Sequence, residues 1–375
     1  MDLTDGAFLV VLGIIAIALL GMLVAGVPGG RSAWTAGIAR GVEAVTFSLV
    51  VVLFAGAALN DQYLFYVSWS DLFTGSATST SAQAGANVRA ALAANVRGPG
   101  FSRMSAPTAY PPLPDPGGQL QTYVVTGARS HVRGQVLVYL PAGYQPSAAR
   151  RYPVLLALHG FPGTPMSVVG AIHLADTMDS LVASHAIAPS IIVAPQIDTP
   201  RSLDTECIND SVPTGPQTET WLAQDIPAWT MAHFPVQSQR TGWAVLGYSM
   251  GGWCSAMVAM RHPDLFGASI AFQGYFRPDF SSYEPMPPGS KAARGYDLVR
   301  LARTSPPPLA MWVLTSRPDG LSYPSTSLFL RNVRPPLAVT SVVLQNGGHR
   351  ASVWIPFVGN ALRWLGQTMP GFRPR

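Results

Sequence analysis

The chain has 375 residues, of which 48% are hydrophobic and only 11% charged, with a net charge of +5. So small a charged fraction is well below that of an ordinary soluble domain and points to membrane-embedded segments. The basic residues are scattered, almost all Arg with Lys291 the single lysine, and no basic run is interleaved with aromatics, which argues against nucleic-acid binding.

Residues 8–27, "FLVVLGIIAIALLGMLVAGV", carry no charge and are long enough to span a bilayer as a helix. A cleaved signal peptide would want a positive start, and the N-terminus offers Asp2 and Asp5 instead. A second apolar run at 42–59 follows closely, with Glu43 its single charge, and is expected to be a second transmembrane helix. The short loop between them carries Arg31 and Arg40, whereas the outer flanks carry Asp2, Asp5, Asp61 and Asp71. Positive loops stay in the cytoplasm, so the N-terminus and the long C-terminal part are expected outside. "YLFYVSWSDLF", 63–73, has the aromatic content of a headgroup interface. Residues 1–73 thus read as a membrane anchor with the bilayer as partner.

Residues 74–119 read as a linker, first Ser/Thr/Ala/Gly-rich with a short helix around "NVRAALAANV", then Pro-rich in "SAPTAYPPLPDPGG". From about 120 to 370, strands alternate with helices. "QTYVVTG" and "GQVLVYLP" form a hairpin, and "YPVLLALHG", "SIIVAPQ", "TGWAVLG", "ASIAFQG", "LAMWVLTS" and "AVTSVVLQ" are apolar runs of strands buried on both faces. "WCSAMVAMRHP" and "SVWIPFVGNALRWLGQ" read as helices. This alternation predicts an α/β fold, a mostly parallel sheet with helices on both faces.

The stretch "VLGYSMGGW" puts Ser249 between Gly247 and Gly251, after a strand and before a helix. A sharp strand–turn–helix exposes such a serine in a strained position, and the backbone passes so close that its neighbours must be small. The helix N-terminus behind it favours a developing anion. A nucleophilic serine needs a base, and the α/β-hydrolase order is serine, acid, histidine. Only His262 and His349 follow Ser249. His262 ends the elbow helix and reads as structural; His349 follows a strand and a glycine turn and is the expected base. Asp264 and Asp279 lie too near the elbow, Asp297 reads as helical, and Asp319 closes the turn after "LAMWVLTS". Asp319 is therefore expected to orient His349 and stabilise its imidazolium. The oxyanion donors are expected to be the N–H groups of Met250 and of Phe161 in the glycine-flanked loop "LHGFPG", with His159 shaping that loop.

Two cysteines, Cys207 and Cys254, exclude a multi-cysteine zinc or iron–sulfur site. Cys207 follows "SIIVAPQ" and Cys254 lies on the elbow helix, both at the C-terminal edge of the sheet, so outside the membrane they are expected to form a disulfide. Asp198, Asp204 and Asp210 do not match EF-hand spacing and read as a solvated polar loop; no metal or other cofactor is expected. Asp225 reads as a structural helix residue.

Together "YLPAGY", "YPVLLALHGFPG", "GYSMGGW", "HPDLFGASIAFQGYF" and "GGHRASVW" resemble the esterase D and mycolyltransferase branch of the α/β-hydrolase superfamily over about 120–370, in the manner of an actinobacterial membrane-anchored esterase. The resemblance implies Ser249 as nucleophile, His349 as base with Trp354 shortly after it, and donors at Phe161 and Met250. Its acid is a glutamate, where this chain has Asp319. It implies an esterase acting on acyl esters or glycolipids, or alternatively an acyl or mycoloyl transfer to trehalose. A catalytically silent hydrolase-fold domain that binds envelope glycan is the competing reading from another class.

Overall fold

The computed structural model describes residues 6–25, 33–63, 65, 66, 68–74, 79–96, 98, 100, 101, 119–147, 151–200, 203–281 and 283–374. Asp2, Asp5, Arg31 and the Pro-rich stretch 105–118 lie outside them. The chain divides into two compact units: Met1–Thr78 with Pro318–Leu321 and Gln345–Arg350, and Ser79–Arg317 with Ser322–Leu344 and Ala351–Arg375.

The first unit holds α1 (Gly6–Ala25), α2 (Ala33–Tyr63) and α3 (Trp69–Thr74). Both α1 and α2 are long and apolar enough to cross a membrane, and their bulky side chains, such as Ile14, Val24, Val45 and Val52, are exposed rather than packed. At 1.5 Å per residue the 20 residues of α1 span about 30 Å, the thickness of a hydrocarbon core. The second span is longer than the apolar run 42–59 that marks it. Its helix runs back through Arg40 to Ala33 and on to Tyr63, because each residue added to a formed helix gains a hydrogen bond and one charge does not stop it. Beyond α2 the chain is pinned at once: the Asn60 side chain accepts from Tyr66 N (2.7 Å) and donates to Tyr66 O (2.9 Å).

The second unit carries β1 (Ser79–Gly85), α4 (Val88–Ala93), β2 (Leu120–Thr126), β3 (Arg133–Tyr139), β4 (Val154–Leu158), α5 (Leu174–Ala183) and β5 (Ile191–Pro195). It continues with α6 (Thr218–Thr220), α7 (Ile226–His233), β6 (Trp243–Tyr248), α8 (Met250–Arg261), β7 (Ala268–Phe272), α9 (Lys291–Gly295) and α10 (Leu298–Thr304). It ends with β8 (Ala310–Ser316), α11 (Tyr323–Asn332), β9 (Ala338–Leu344) and α12 (Ala351–Thr368). Among the described residues the sheet has nine strands in the order β1-β9-β8-β7-β6-β4-β5-β3-β2. Strands β4 to β9 are mutually parallel, and β1, β2 and β3 complete the edges antiparallel.

The apolar runs form strands because both of their faces are covered. Val154, Leu156 and Leu158 of β4 enter the core built with α7, α8 and α10, while Leu155 and Ala157 enter the opposite core with α5 and α12. Alternate side chains pointing to opposite faces thus need no polar position at all. At the edge, β2 alternates exposed and buried along its length, and the first half of β3 does the same.

The linker reading of 74–119 is corrected over 79–101. Residues Ser79–Gly85 pair with β9 from Ser79 opposite Leu344 to Gly85 opposite Ala338. Asn87 then caps α4 by accepting from Ala90 N at 3.2 Å. Phe101 is buried, its ring 4.9 Å from that of Trp243. The strand was hidden because "STSAQAG" is small and polar; as an exposed edge it needs backbone pairing and no apolar face.

The C-terminal end of α8 is tied down by a buried carboxylate. Glu219 accepts from Arg261 Nε (2.7 Å), His262 Nε2 (2.8 Å) and Tyr296 Oη (2.6 Å), which gives His262 the structural role expected of it. Burial alone would raise the Glu219 carboxyl, but the hydrogen bonds and charges of His262 and Arg261 outweigh it and hold it at about 2. A folded value below the unfolded 4.5 stabilises the fold above pH 4.5, and that stabilisation is lost as pH falls from 4.5 toward 2. The shift corresponds to roughly 3 kcal/mol. Glu219→Gln is therefore expected to lower the thermal midpoint at pH 7 and to flatten its decline between pH 5 and pH 3, as read by circular dichroism; an unchanged pH profile would refute the assignment.

Candidate active site

The strand β6 ends at Tyr248 and α8 begins at Met250, so Ser249 alone makes the turn. It sits at φ 55° and ψ −128°, a region a non-glycine residue enters only when its surroundings force it. The forcing contacts are local. Ser249 N donates to Phe272 O at 2.9 Å, and Trp253 N returns to Ser249 O at 3.1 Å. A Cβ on Gly247 would stand 2.0 Å from Gly251 O, and one on Gly251 would stand 2.2 Å from Leu158 O. The two glycines of the motif are thus required by close backbone approach, as their spacing predicts.

The loop after β4 runs against this elbow. A Cβ on Gly160 would lie 3.2 Å from Ser249 Cβ, and one on Gly163 would lie 2.4 Å from Gly160 O. His159 is fully buried and holds the loop from within: its Nδ1 meets Gly160 O at 2.7 Å and its Nε2 accepts from Ile197 N at 3.3 Å. These contacts define the tautomer with the proton on Nδ1, and burial lowers the imidazole's affinity for a second proton. His159 therefore shapes the loop, as expected. Gln196, which sequence reasoning missed, adds a bond from Nε2 to Gly163 O at 3.2 Å. Phe161 lies on this loop, partly buried against the core, and Met250 is the buried first residue of α8.

Asp319 lies three residues beyond β8 and His349 five beyond β9, strands parallel to β6. The structure brings these two together: His349 Nδ1 stands 2.9 Å from Asp319 Oδ2, with Asp319 fully buried. The other carboxylate oxygen, Oδ1, accepts from Leu321 N at 3.0 Å, which fixes the turn. With Nδ1 donating to the carboxylate, Nε2 is left with the lone pair a general base uses. Trp354, on α12, stacks on Tyr248 at 4.7 Å and donates to Gln273 Oε1. Gln273 carries φ 43° directly after β7, and its buried Nε2 has no hydrogen-bond partner among the described residues. No sequence signal marks it.

Cys207 and Cys254 form the expected disulfide, with Cα atoms 5.7 Å apart and a sequence separation of 47. It joins the loop after β5 to α8 one turn beyond Ser249, and Trp253 Nε1 adds a bond to Glu206 O at 2.9 Å. A closed loop of that length removes about 4 kcal/mol of chain entropy from the unfolded state. Cys207→Ser with Cys254→Ser is expected to lower the thermal midpoint by on the order of 10 °C, and a calorimetric scan that shows no change would refute it.

The acidic loop departs from its solvated reading. Asp198 is buried beside Gln196, and Asp210 accepts from Val212 N (2.6 Å) and from Tyr283 Oη. Asp198 is thus buried on the Gln196 side-chain amide, whereas Asp204 and Asp210 are half-exposed, Asp210 being held by a backbone N–H and a tyrosine hydroxyl. Glu206 beside them is raised well above the usual carboxylate range by burial, reinforced by Asp204. Asp225 is structural, as expected, accepting from Arg129 N (3.0 Å) and Ser130 N (2.8 Å). Asp297 caps α10 through Arg300 N at 2.9 Å rather than lying within it.

Comparisons with known proteins agree with this architecture. The chain is similar to a ferulic acid esterase (21% identity, 66% of this chain and 98% of the other, TM-score 0.54). It is also similar to an S-formylglutathione hydrolase of Agrobacterium tumefaciens (17% identity, 67% and 95%, TM-score 0.55). A fluorophosphonate-binding serine hydrolase of Staphylococcus aureus shares the fold as well (15% identity, 66% and 97%, TM-score 0.51). An uncharacterized protein of Corynebacterium glutamicum is 25% identical over 140 residues, 37% of this chain and 32% of its own length, so the match spans about a third of that relative. The Esterase family model matches residues 129–353, which include the elbow and both loops that carry Asp319 and His349. The chain belongs to the Esterase family, enzymes of the α/β-hydrolase fold that cleave ester bonds.

Proposed function

We propose that the chain is a membrane-anchored serine esterase whose catalytic domain stands outside the cytoplasm and acts on acyl esters of the cell envelope. The observation that carries the serine mechanism is the strained elbow at Ser249 in a chain that also pairs His349 with Asp319 at 2.9 Å. In this reading His349 Nε2 takes the Ser249 proton and Oγ attacks the ester carbonyl. The developing oxyanion rests on the N–H groups of Met250 and Phe161. His349 then protonates the leaving alcohol, and water, activated by the same histidine, releases the acyl group. Asp319 stays ionised and stabilises the imidazolium.

Two findings support the external placement and the envelope substrate. α1 and α2 are long and apolar enough to span a membrane, and the positively charged Arg40 lies in the N-terminal part of α2, the end that follows α1 in the chain. The disulfide belongs to oxidising compartments. The test is a membrane-impermeant fluorophosphonate applied to intact cells, followed by peptide mapping. Labelling of Ser249 supports both the nucleophile and its side of the membrane. Labelling only after permeabilisation places the domain inside, and no labelling in either case favours a silent binding domain. Release of fatty acid from envelope glycolipid, with acyl trehalose formed instead when trehalose is added, would extend the reading to acyl transfer.

A further inference from the structure

The loop that carries His349 is held on both sides by one carboxylate from the segment that follows the second span. Asp71 of α3 is buried, and its Oδ2 accepts from Gly348 N at 3.1 Å. The same carboxylate takes the Arg350 guanidinium in a two-point fork, Nη1 to Oδ2 and Nη2 to Oδ1, each 2.7 Å. Gly348 and Arg350 are the residues immediately before and after His349. The guanidinium also lies over the Tyr66 ring, 4.2 Å from its centre, and donates to Phe65 O. Tyr66 in turn is bonded to Asn60 at the end of α2. These contacts link the end of α2 to the backbone of Gly348 and the side chain of Arg350, the two residues that flank His349.

We propose that Asp71 is a positioning residue for His349, so that the segment leaving the membrane is part of the catalytic machinery and not only a tether. This rests on His349 being the general base. The physical case is geometric. Bidentate charge-assisted bonds fix both distance and plane, whereas Gly347, at φ 107°, leaves the loop's own backbone little stiffness. A proton-transferring group displaced by about 1 Å loses roughly 10²-fold in rate. A linear sequence reading assigns Asp71 to the acidic flank of a membrane span; the fold turns it into the partner of residues more than 270 positions away.

The test uses the full-length chain in detergent micelles with a water-soluble p-nitrophenyl ester. Asp71→Asn is expected to lower kcat about 10²-fold with KM within twofold, and to slow fluorophosphonate labelling of Ser249 in the same proportion. Asp71→Glu, which keeps the charge, is expected to recover at least tenfold of that loss. A role in stability alone would lower the thermal midpoint and leave kcat per labelled site unchanged, and that result overturns the proposal. Where Asp71→Asn does not fold, Arg350→Lys decides: it keeps the charge and loses the fork, and an unchanged kcat overturns the proposal. Ser249→Ala in parallel separates the two readings. If it retains activity, the serine mechanism fails; if it is inactive while Asp71→Asn is fully active, only the positioning role fails.

Discussion

Ser249→Ala is expected to reduce kcat on p-nitrophenyl esters by on the order of 10⁴ to 10⁶ while leaving the fold intact. The side chain is half-buried and small, so its truncation leaves the core packing in place. The residual rate would come from substrate binding and the oxyanion donors alone. In the proposed mechanism nucleophile and base act as one unit, so His349→Ala alone should cost nearly as much, and the double variant scarcely more. Strict multiplication of the two losses would show that the residues do not share a step. The backbone offers a second readout. At φ 55° Ser249 stores strain of roughly 1 to 3 kcal/mol, which glycine relieves. Ser249→Gly should therefore be inactive and at least as stable as the parent, as measured by thermal unfolding in detergent.

Asp319→Asn is expected to lower kcat by about 10⁴ with little change in KM. Asp319 is fully buried and offers one oxygen to Leu321 N and the other to His349 Nδ1. Asparagine keeps the shape but carries only one acceptor oxygen. With that oxygen held by Leu321 N, its NH₂ faces the ring and demands an acceptor at Nδ1. The proton then moves to Nε2, where the base needs a lone pair. The loss falls on the transition state, since a substrate at rest does not touch this carboxylate. A variant with kcat within tenfold of the parent would remove Asp319 from the proposed mechanism. Glutamate, the acid expected of mycolyltransferases, would have to be accommodated in a turn fixed by the shorter Asp319 side chain. Asp319→Glu is accordingly a poor substitute here.

Most of the catalytic domain was legible in the linear chain, and the reason is visible in β4. A strand buried on both faces must be apolar at every position, so "VLLAL" announces itself. The elbow was legible because close backbone approach leaves glycine as the residue that fits at positions 247 and 251. Asp319 and His349 were singled out by chain order, and the structure places them 2.9 Å apart. What stayed hidden were features without a local pattern. The edge strand Ser79–Gly85 is polar and small, and its only requirement is the backbone of β9. Gln196 and Gln273 carry no signature, since any side chain of that length reads as surface until a loop folds over it. Asp198 looked like a solvated acid, and only the fold shows that it is buried against the Gln196 side-chain amide.

The sequence by itself determined the two long apolar helices, the parallel sheet, the strand–turn–helix at Ser249 and the identity of the expected acid and base. Each of these is written in composition, in periodicity or in steric demand, all of which act between near neighbours. Only the tertiary structure decided that residues 79–101 belong to the sheet unit and that Asp71 holds the Gly348 backbone and the Arg350 side chain on either side of His349. Those pairings join positions hundreds of residues apart, and a hydrogen bond between distant residues imposes no pattern on the sequence around either partner.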